Sequence, residues 1–65
     1  MEYKIIMNNG DVYYRETPKS PSDFLGLVNS QRFIRVYKYT NDGWEYKRLT
    51  VFLATRNISE IMVTD

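Results

Sequence analysis

The sequence contains no cysteine and no histidine. Without cysteine there can be no disulfide and no thiolate metal site, and without histidine the commonest metal ligand and the commonest general base are both missing. No spacing among the scattered carboxylates and lysines indicates an acid–base pair. These absences predict a protein that is not an enzyme and that needs no metal or other cofactor.

Long apolar runs are missing too, because the longest covers only Val51 to Ala54. Such a run is far too short to cross a membrane. Met1 and Glu2 lead directly into a strand-like segment, which is not how a signal peptide begins, so we predict a cytoplasmic protein. We expect one domain, residues 1–65. A chain of this length buries only about 60% of its unfolded surface, so we predict that it gains stability by assembling into a homo-oligomer.

The first half of the chain predicts a hairpin followed by a short helix. Strands are expected at 3–7 and 12–16, because Asn9-Gly10 between them tolerates the positive φ that tight hairpins need. Ser22 is the predicted N-cap of the helix. Three apolar residues at helical spacing form one stripe on it: Phe24, Leu27 and Val28.

The second half predicts two long strands at 32–40 and 44–53, a brief connection at 55–57 and a last strand at 58–64. This order predicts a mainly β (α+β) fold: a small five-stranded SH3-like or Sm-like barrel with one short helix between strands 2 and 3. Closure into a barrel would hide strand edges, which are a liability in a small sheet. An open five-stranded sheet with the helix across it is the alternative.

The register of the long hairpin decides which residues share a face. With Asp42-Gly43 as a two-residue turn, Val36 pairs with Leu49 in an aliphatic strip, and Lys38 opposes Lys47 further out on that side. The other side carries aromatic and basic pairs: Tyr39 with Tyr46, Tyr37 with Arg48, Arg35 with Thr50, and Phe33 with Phe52. A slip by one residue would mix the two sides, so the two-residue turn is favoured. We expect the helix to cover Phe33 and Phe52 and to leave the aromatic residues nearer the tip uncovered.

This hairpin and its exit also hold most of the positive charge. Residues 32–56 contain six basic and two acidic side chains, a net charge of +4. Tyrosine, tryptophan and arginine are enriched where surfaces bind, and they stack on nucleobases while arginine and lysine contact phosphate. The candidate ligand- or partner-binding residues are Arg35, Tyr37, Lys38, Tyr39, Trp44, Tyr46, Lys47 and Arg48.

Four uses of these residues stay open. They could capture an anionic nucleotide-bearing ligand, either nucleic acid or a nucleotide signal molecule. They could anchor the protein on a host or defence enzyme that it inhibits. The same aromatics could mediate self-association, or they could simply be solvated residues that favour strands.

The segment Tyr-Lys-Ile-Ile-Met-Asn-Asn-Gly-Asp-Val-Tyr-Tyr at 3–14 resembles the opening of many short proteins encoded by phages and prophages of Gram-positive bacteria. In these proteins a Ser/Pro-Asp-Phe-Leu helix follows, here Ser22-Asp23-Phe24-Leu25, and the last strand often reads Asn-Ile-x-x-Ile, as at 57–61. The resemblance implies a small β-barrel accessory protein, host-modulating or counter-defence, that works by binding inside a bacterial host cell. The long Tyr/Arg/Trp hairpin departs from this pattern, so no functional residue is carried over to it.

Overall fold

A computed structural model of the protein describes residues 1–64, which form one antiparallel sheet with a helix against one face. The spatial order of the strands is β4-β3-β2-β1-β5. In chain order the elements are β1 (Glu2–Met7), β2 (Val12–Glu16), α1 (Pro21–Ser30), β3 (Phe33–Asp42), β4 (Glu45–Ala54), a 3₁₀ turn (Thr55–Asn57) and β5 (Ile58–Val63).

The predicted mainly β fold with a helix between strands 2 and 3 is confirmed. Within the described residues the strands pair as an open sheet with β4 and β5 at its two edges, and closure into the predicted barrel is not shown. The open alternative therefore describes the pairing that is present.

The sheet is nevertheless strongly curled. Four strand spacings of about 4.8 Å would separate β4 from β5 by about 19 Å in a flat sheet. The four Cα steps from Ala54 to Ile58 could reach only about 15 Å even if fully extended, and a 3₁₀ turn is shorter still. The sheet must therefore curve round so that its edges approach at this end, and Leu53 and Ile58 do pack in the same core.

The concave side of the sheet is the core, and α1 packs there. Phe24 is fully buried and its ring stacks on that of Tyr3, with 4.4 Å between the ring centroids. The predicted helix stripe is confirmed, since Phe24 and Val28 are buried and Leu27 packs against them. The strands contribute the rest of this core: Tyr3, Ile5, Met7, Ile34, Val36 and Leu53.

The helix begins two residues earlier than the sequence suggested. Ser20, and not Ser22, is the N-cap, and its Oγ accepts a hydrogen bond from the Asp23 amide at 3.4 Å. Pro21 follows in the first turn, where its missing N–H costs nothing and its fixed φ suits the helix. The proline that was expected to precede the helix is therefore part of it.

The two hairpins turn at glycines with positive φ. In the first, Gly10 has φ 91° and its amide donates to the Met7 carbonyl at 2.9 Å. In the second, Gly43 has φ 73°, and Asp42 pairs with Glu45 around the two-residue turn Gly43-Trp44. Glycine as the first central residue is typical of a type II′ turn.

The predicted turn at Asp42-Gly43 is therefore wrong. That turn would be of type I′ and would put Asp42 at positive φ as well, which the II′ turn avoids. All cross-strand partners move by two residues, so that Val36 pairs with Val51, Lys38 with Leu49, and Tyr39 with Arg48. Because the shift is even, each side chain keeps its predicted face, while the expected opposition of Lys38 and Lys47 disappears.

Candidate binding surface

The side of the β3–β4 hairpin that α1 does not cover is called the outer face below. Successive strand residues point to opposite sides, so this face takes every second residue of each strand. Its members are Phe33, Arg35, Tyr37, Tyr39, Asn41, Tyr46, Arg48, Thr50, Phe52 and Ala54.

Phe33 and Phe52 are not core residues. They were expected to lie beneath the helix, but they are 58% and 67% exposed because α1 packs on the opposite side of the sheet. The aliphatic strip of Ile34, Val36 and Leu53 takes the helix instead. Two phenylalanine rings at the root of the hairpin are thereby added to the exposed surface.

Tyr37 is the opposite case, because it was expected to be exposed and it is buried. Only 5% of it is accessible, although no helix or loop within residues 1–64 covers the outer face. The rings of Tyr14 and Tyr39 lie 5.9 Å and 5.7 Å from its own, and the Arg48 guanidinium lies 3.8 Å from its ring centroid. Of the aromatic residues that were expected to be uncovered, Tyr37 is thus buried while Tyr39 beside it is exposed.

The expected contact between Tyr37 and Arg48 is present through a different register. Thr50 is the direct partner of Tyr37, and Arg48 reaches the ring diagonally from its place opposite Tyr39. Diagonal neighbours on a sheet are within reach of long side chains. Arg48 remains exposed while it makes this contact.

The hydroxyl of Tyr37 ties the outer face to β1. It donates a hydrogen bond of 2.7 Å to the Glu2 carboxylate. Burial and the hydrogen bond to the Glu2 carboxylate together raise the pKa of Tyr37 to about 12. Tyr37 is therefore a neutral, fixed donor at physiological pH and serves to hold the aromatic cluster in place.

The remaining members of the outer face are available to a ligand. Tyr39 is 56% exposed and Tyr46 is 77% exposed, and the side chains of Arg35 and Arg48 are exposed as well. None of the ten outer-face residues is acidic. Flat rings interleaved with guanidinium groups can stack on planar ligands and contact anionic ones.

Three of the eight predicted site residues lie elsewhere. Trp44 is fully exposed at the turn and belongs to neither strand. Lys38 and Lys47 lie on the same side as α1 but nearer the hairpin tip; Lys38 Nζ sits 5.8 Å from the Tyr13 ring centroid, and Lys47 Nζ lies 3.3 Å from Asp42 Oδ2. The structure thus brings together Arg35, Tyr37, Tyr39, Tyr46 and Arg48 and separates them from the lysines.

Arg15 is a neighbour of the site that sequence reasoning missed. Its Nη1 donates 2.7 Å to the carbonyl oxygen of Arg35 and so bridges β2 and β3, whose one register pair is Tyr14 with Tyr37. A single arginine in a short strand gives no sequence signal for this role. Arg15 lines a small depression together with Arg35, Arg48 and the acidic Glu16.

Within residues 1–64 no group of three or more acidic side chains is placed to hold a metal ion. No helix in that part of the chain is long and apolar enough to cross a membrane. Comparison with protein-family models, with curated proteins and with solved structures finds no match to this chain.

Proposed function

We propose that the protein acts by binding, and that it captures an anionic nucleotide-bearing ligand, single-stranded nucleic acid or a nucleotide signal molecule, on the outer face. The observation that carries this proposal is that α1 covers only the concave side, which leaves exposed rings and guanidinium groups alternating along the hairpin. The open sheet is sufficient for this role, and the SH3-like or Sm-like closure is not required.

Unpaired bases suit this surface better than a duplex does. Tyr39, Tyr46 and Phe52 offer exposed rings on which bases can stack, and stacking contributes about 1–3 kcal/mol per base. A duplex hides those base faces and would meet the surface only through its phosphates. Arg35 and Arg48 supply phosphate contacts between the rings.

The decisive experiment is fluorescence anisotropy with a labelled single-stranded oligonucleotide of mixed sequence. The double variant Tyr39→Ala/Arg48→Ala should lose at least about thirtyfold in affinity, because a central aromatic or arginine anchor can carry 2 kcal/mol or more. Tyr37→Ala is unsuitable, since removal of a buried ring would unfold the protein. Lys47→Ala is the matched control, because Lys47 is a hairpin cation on the other side. Unchanged affinity in the folded double variant would refute the proposal.

A second candidate function rests on Trp44. A fully exposed tryptophan at a hairpin tip is suited to insert into a pocket of another protein, so the chain could inhibit a host or defence enzyme. Salt separates the two functions: phosphate contacts weaken steeply and log-linearly with salt, whereas a buried tryptophan anchor is much less sensitive. Trp44→Ala should abolish inhibition under this second function and leave oligonucleotide binding intact.

The proposal includes the setting implied by the resemblance to phage and prophage proteins. In that setting the protein would be a non-enzymatic, host-modulating or counter-defence accessory in the bacterial cytoplasm, and it would act as a homo-oligomer. This part of the proposal is supported by the sequence pattern at 3–14 and 57–61.

A further inference from the structure

A shallow depression of about 590 Å³ lies at the root of the long hairpin, between the end of α1 and the 3₁₀ turn. Arg32, Phe33 and Arg56 are among its lining residues, and none of the described residues that line it is acidic. We propose that it binds the terminal phosphate of a nucleic-acid strand that lies on the outer face. This inference rests on the proposed function and specifies the ligand as a strand that ends in a phosphomonoester.

The backbone holds the two arginines on adjoining segments. The Thr55 amide donates to the Arg32 carbonyl at 2.9 Å, and Thr55 Oγ1 donates to the Gln31 carbonyl at 2.6 Å. Arg56 directly follows this anchored residue, so it is brought beside Arg32. Both side chains are exposed, and among the described residues neither takes part in an ion pair.

The helix C-terminus at this site does not cancel the positive charge. A helix end carries only about half a negative charge, whereas the two guanidinium groups together carry two positive charges. One carbonyl group of the last helical turn also has its hydrogen bonds within the protein. The Leu27 carbonyl accepts hydrogen bonds from the Gln31 amide at 3.1 Å and from Ser30 Oγ at 3.0 Å. The depression therefore attracts anions.

The depression continues the outer face. Phe33 belongs to both, so a strand lying along β3 from Tyr39 would run for about 20 Å and end at Arg32 and Arg56. A phosphomonoester carries about −1.5 to −2 charge near pH 7, against −1 for a phosphate within a strand. Arginine pairs with phosphate through two parallel hydrogen bonds, which makes two arginines a good match for a terminal group.

The test uses three oligonucleotides of one sequence at one salt concentration: one with a 5′-phosphate, one with a 3′-phosphate and one with hydroxyl groups at both ends. One of the phosphorylated strands should bind the parent protein about tenfold more tightly than the hydroxyl strand, since charge-assisted hydrogen bonds are involved. If the 5′-phosphate strengthens binding, the 5′ end of the strand lies in the depression; if the 3′-phosphate does, the 3′ end lies there.

Arg56→Gln and, separately, Arg32→Gln should each bring that ratio of affinities close to one. Lys47→Gln, the matched change of a cation outside both sites, should keep the tenfold ratio. Equal binding of all three strands to the parent would overturn the inference and leave the proposed function standing, as would a ratio that survives both arginine variants. Absence of binding by any strand would overturn both.

Discussion

The two faces of the sheet bury aromatic rings in different ways. On the inner face Phe24 comes from α1 and stacks on Tyr3, so a whole element covers the ring. On the outer face Tyr37 is almost as well buried as its neighbour Val36, yet only side chains cover it. The comparison shows that side chains alone can bury the central ring of a sheet face, Tyr37, while the neighbouring rings and guanidinium groups of that face stay exposed.

The sharpest way to break this comparison uses two neighbours on β4. Leu53 is buried in the core and Phe52 is largely exposed on the outer face. Leu53→Ala should lower the free energy of unfolding by about 2–5 kcal/mol, because it leaves a cavity in a small core. Phe52→Ala should cost less than about 1 kcal/mol, the scale of one cross-strand pair.

Urea denaturation followed by circular dichroism measures both variants. The larger residue is predicted to matter less, which is opposite to the order expected from side-chain size alone. A loss for Phe52→Ala as large as that for Leu53→Ala would show that the outer face is covered in solution.

Alkaline pH tests the packing of Tyr37. Its pKa is raised from 10.0 to about 12 in the folded protein, so the neutral ring is favoured by folding. This preference contributes its full share to the free energy of unfolding below about pH 10. The contribution is lost as the pH rises to about 12, which lowers the free energy of unfolding by up to about 3 kcal/mol. Tyr37→Phe cannot ionise at this position, so its unfolding free energy should fall less over the same range. Parallel pH profiles for parent and variant would contradict the assigned burial.

The smallest predicted effect comes from the helix that covers the inner face. Gly26 lies within α1, and a Cβ added there meets no described atom within 4 Å other than those of its chain neighbours and the backbone of its own helix. Gly26→Ala should therefore raise the unfolding free energy by up to about 1 kcal/mol. The matched change Gly43→Ala should lower it by about 1–2 kcal/mol, because Gly43 has φ 73°. Thermal denaturation of the two variants, with shifts of opposite sign, is the measurement.

Much of the fold follows from local signals in the sequence. Asn9-Gly10 predicts the first hairpin, and the spacing of Phe24, Leu27 and Val28 predicts the buried helix face. The two sides of the long hairpin are also predicted correctly, because alternation survives an even change of register. Two local predictions are wrong. Ser20 and not Ser22 is the N-cap of α1, and Gly43 takes the first central position of a type II′ turn and not the second position of a type I′ turn.

The candidate site is harder to predict, because its key features depend on distant parts of the chain. Tyr37 is buried by Tyr14 and bonded to Glu2, and both come from strands far away in the sequence. Phe33 and Phe52 are exposed because of the side on which α1 packs, which no local pattern specifies. The curl of the sheet depends likewise on a three-residue link between its edges.

The long hairpin extends past the strand beside it. β2 begins at Val12 and pairs Tyr14 with Tyr37, so beyond about Tyr39 the two arms hydrogen-bond chiefly to each other. A two-stranded ribbon is marginal in water, and this part can fray and re-form while the sheet beneath it stays folded. Under the proposed function, a ligand that contacts Tyr46 would have to order this part of the hairpin and would lose part of its affinity to entropy, whereas a ligand bound near Tyr37 would not carry that cost.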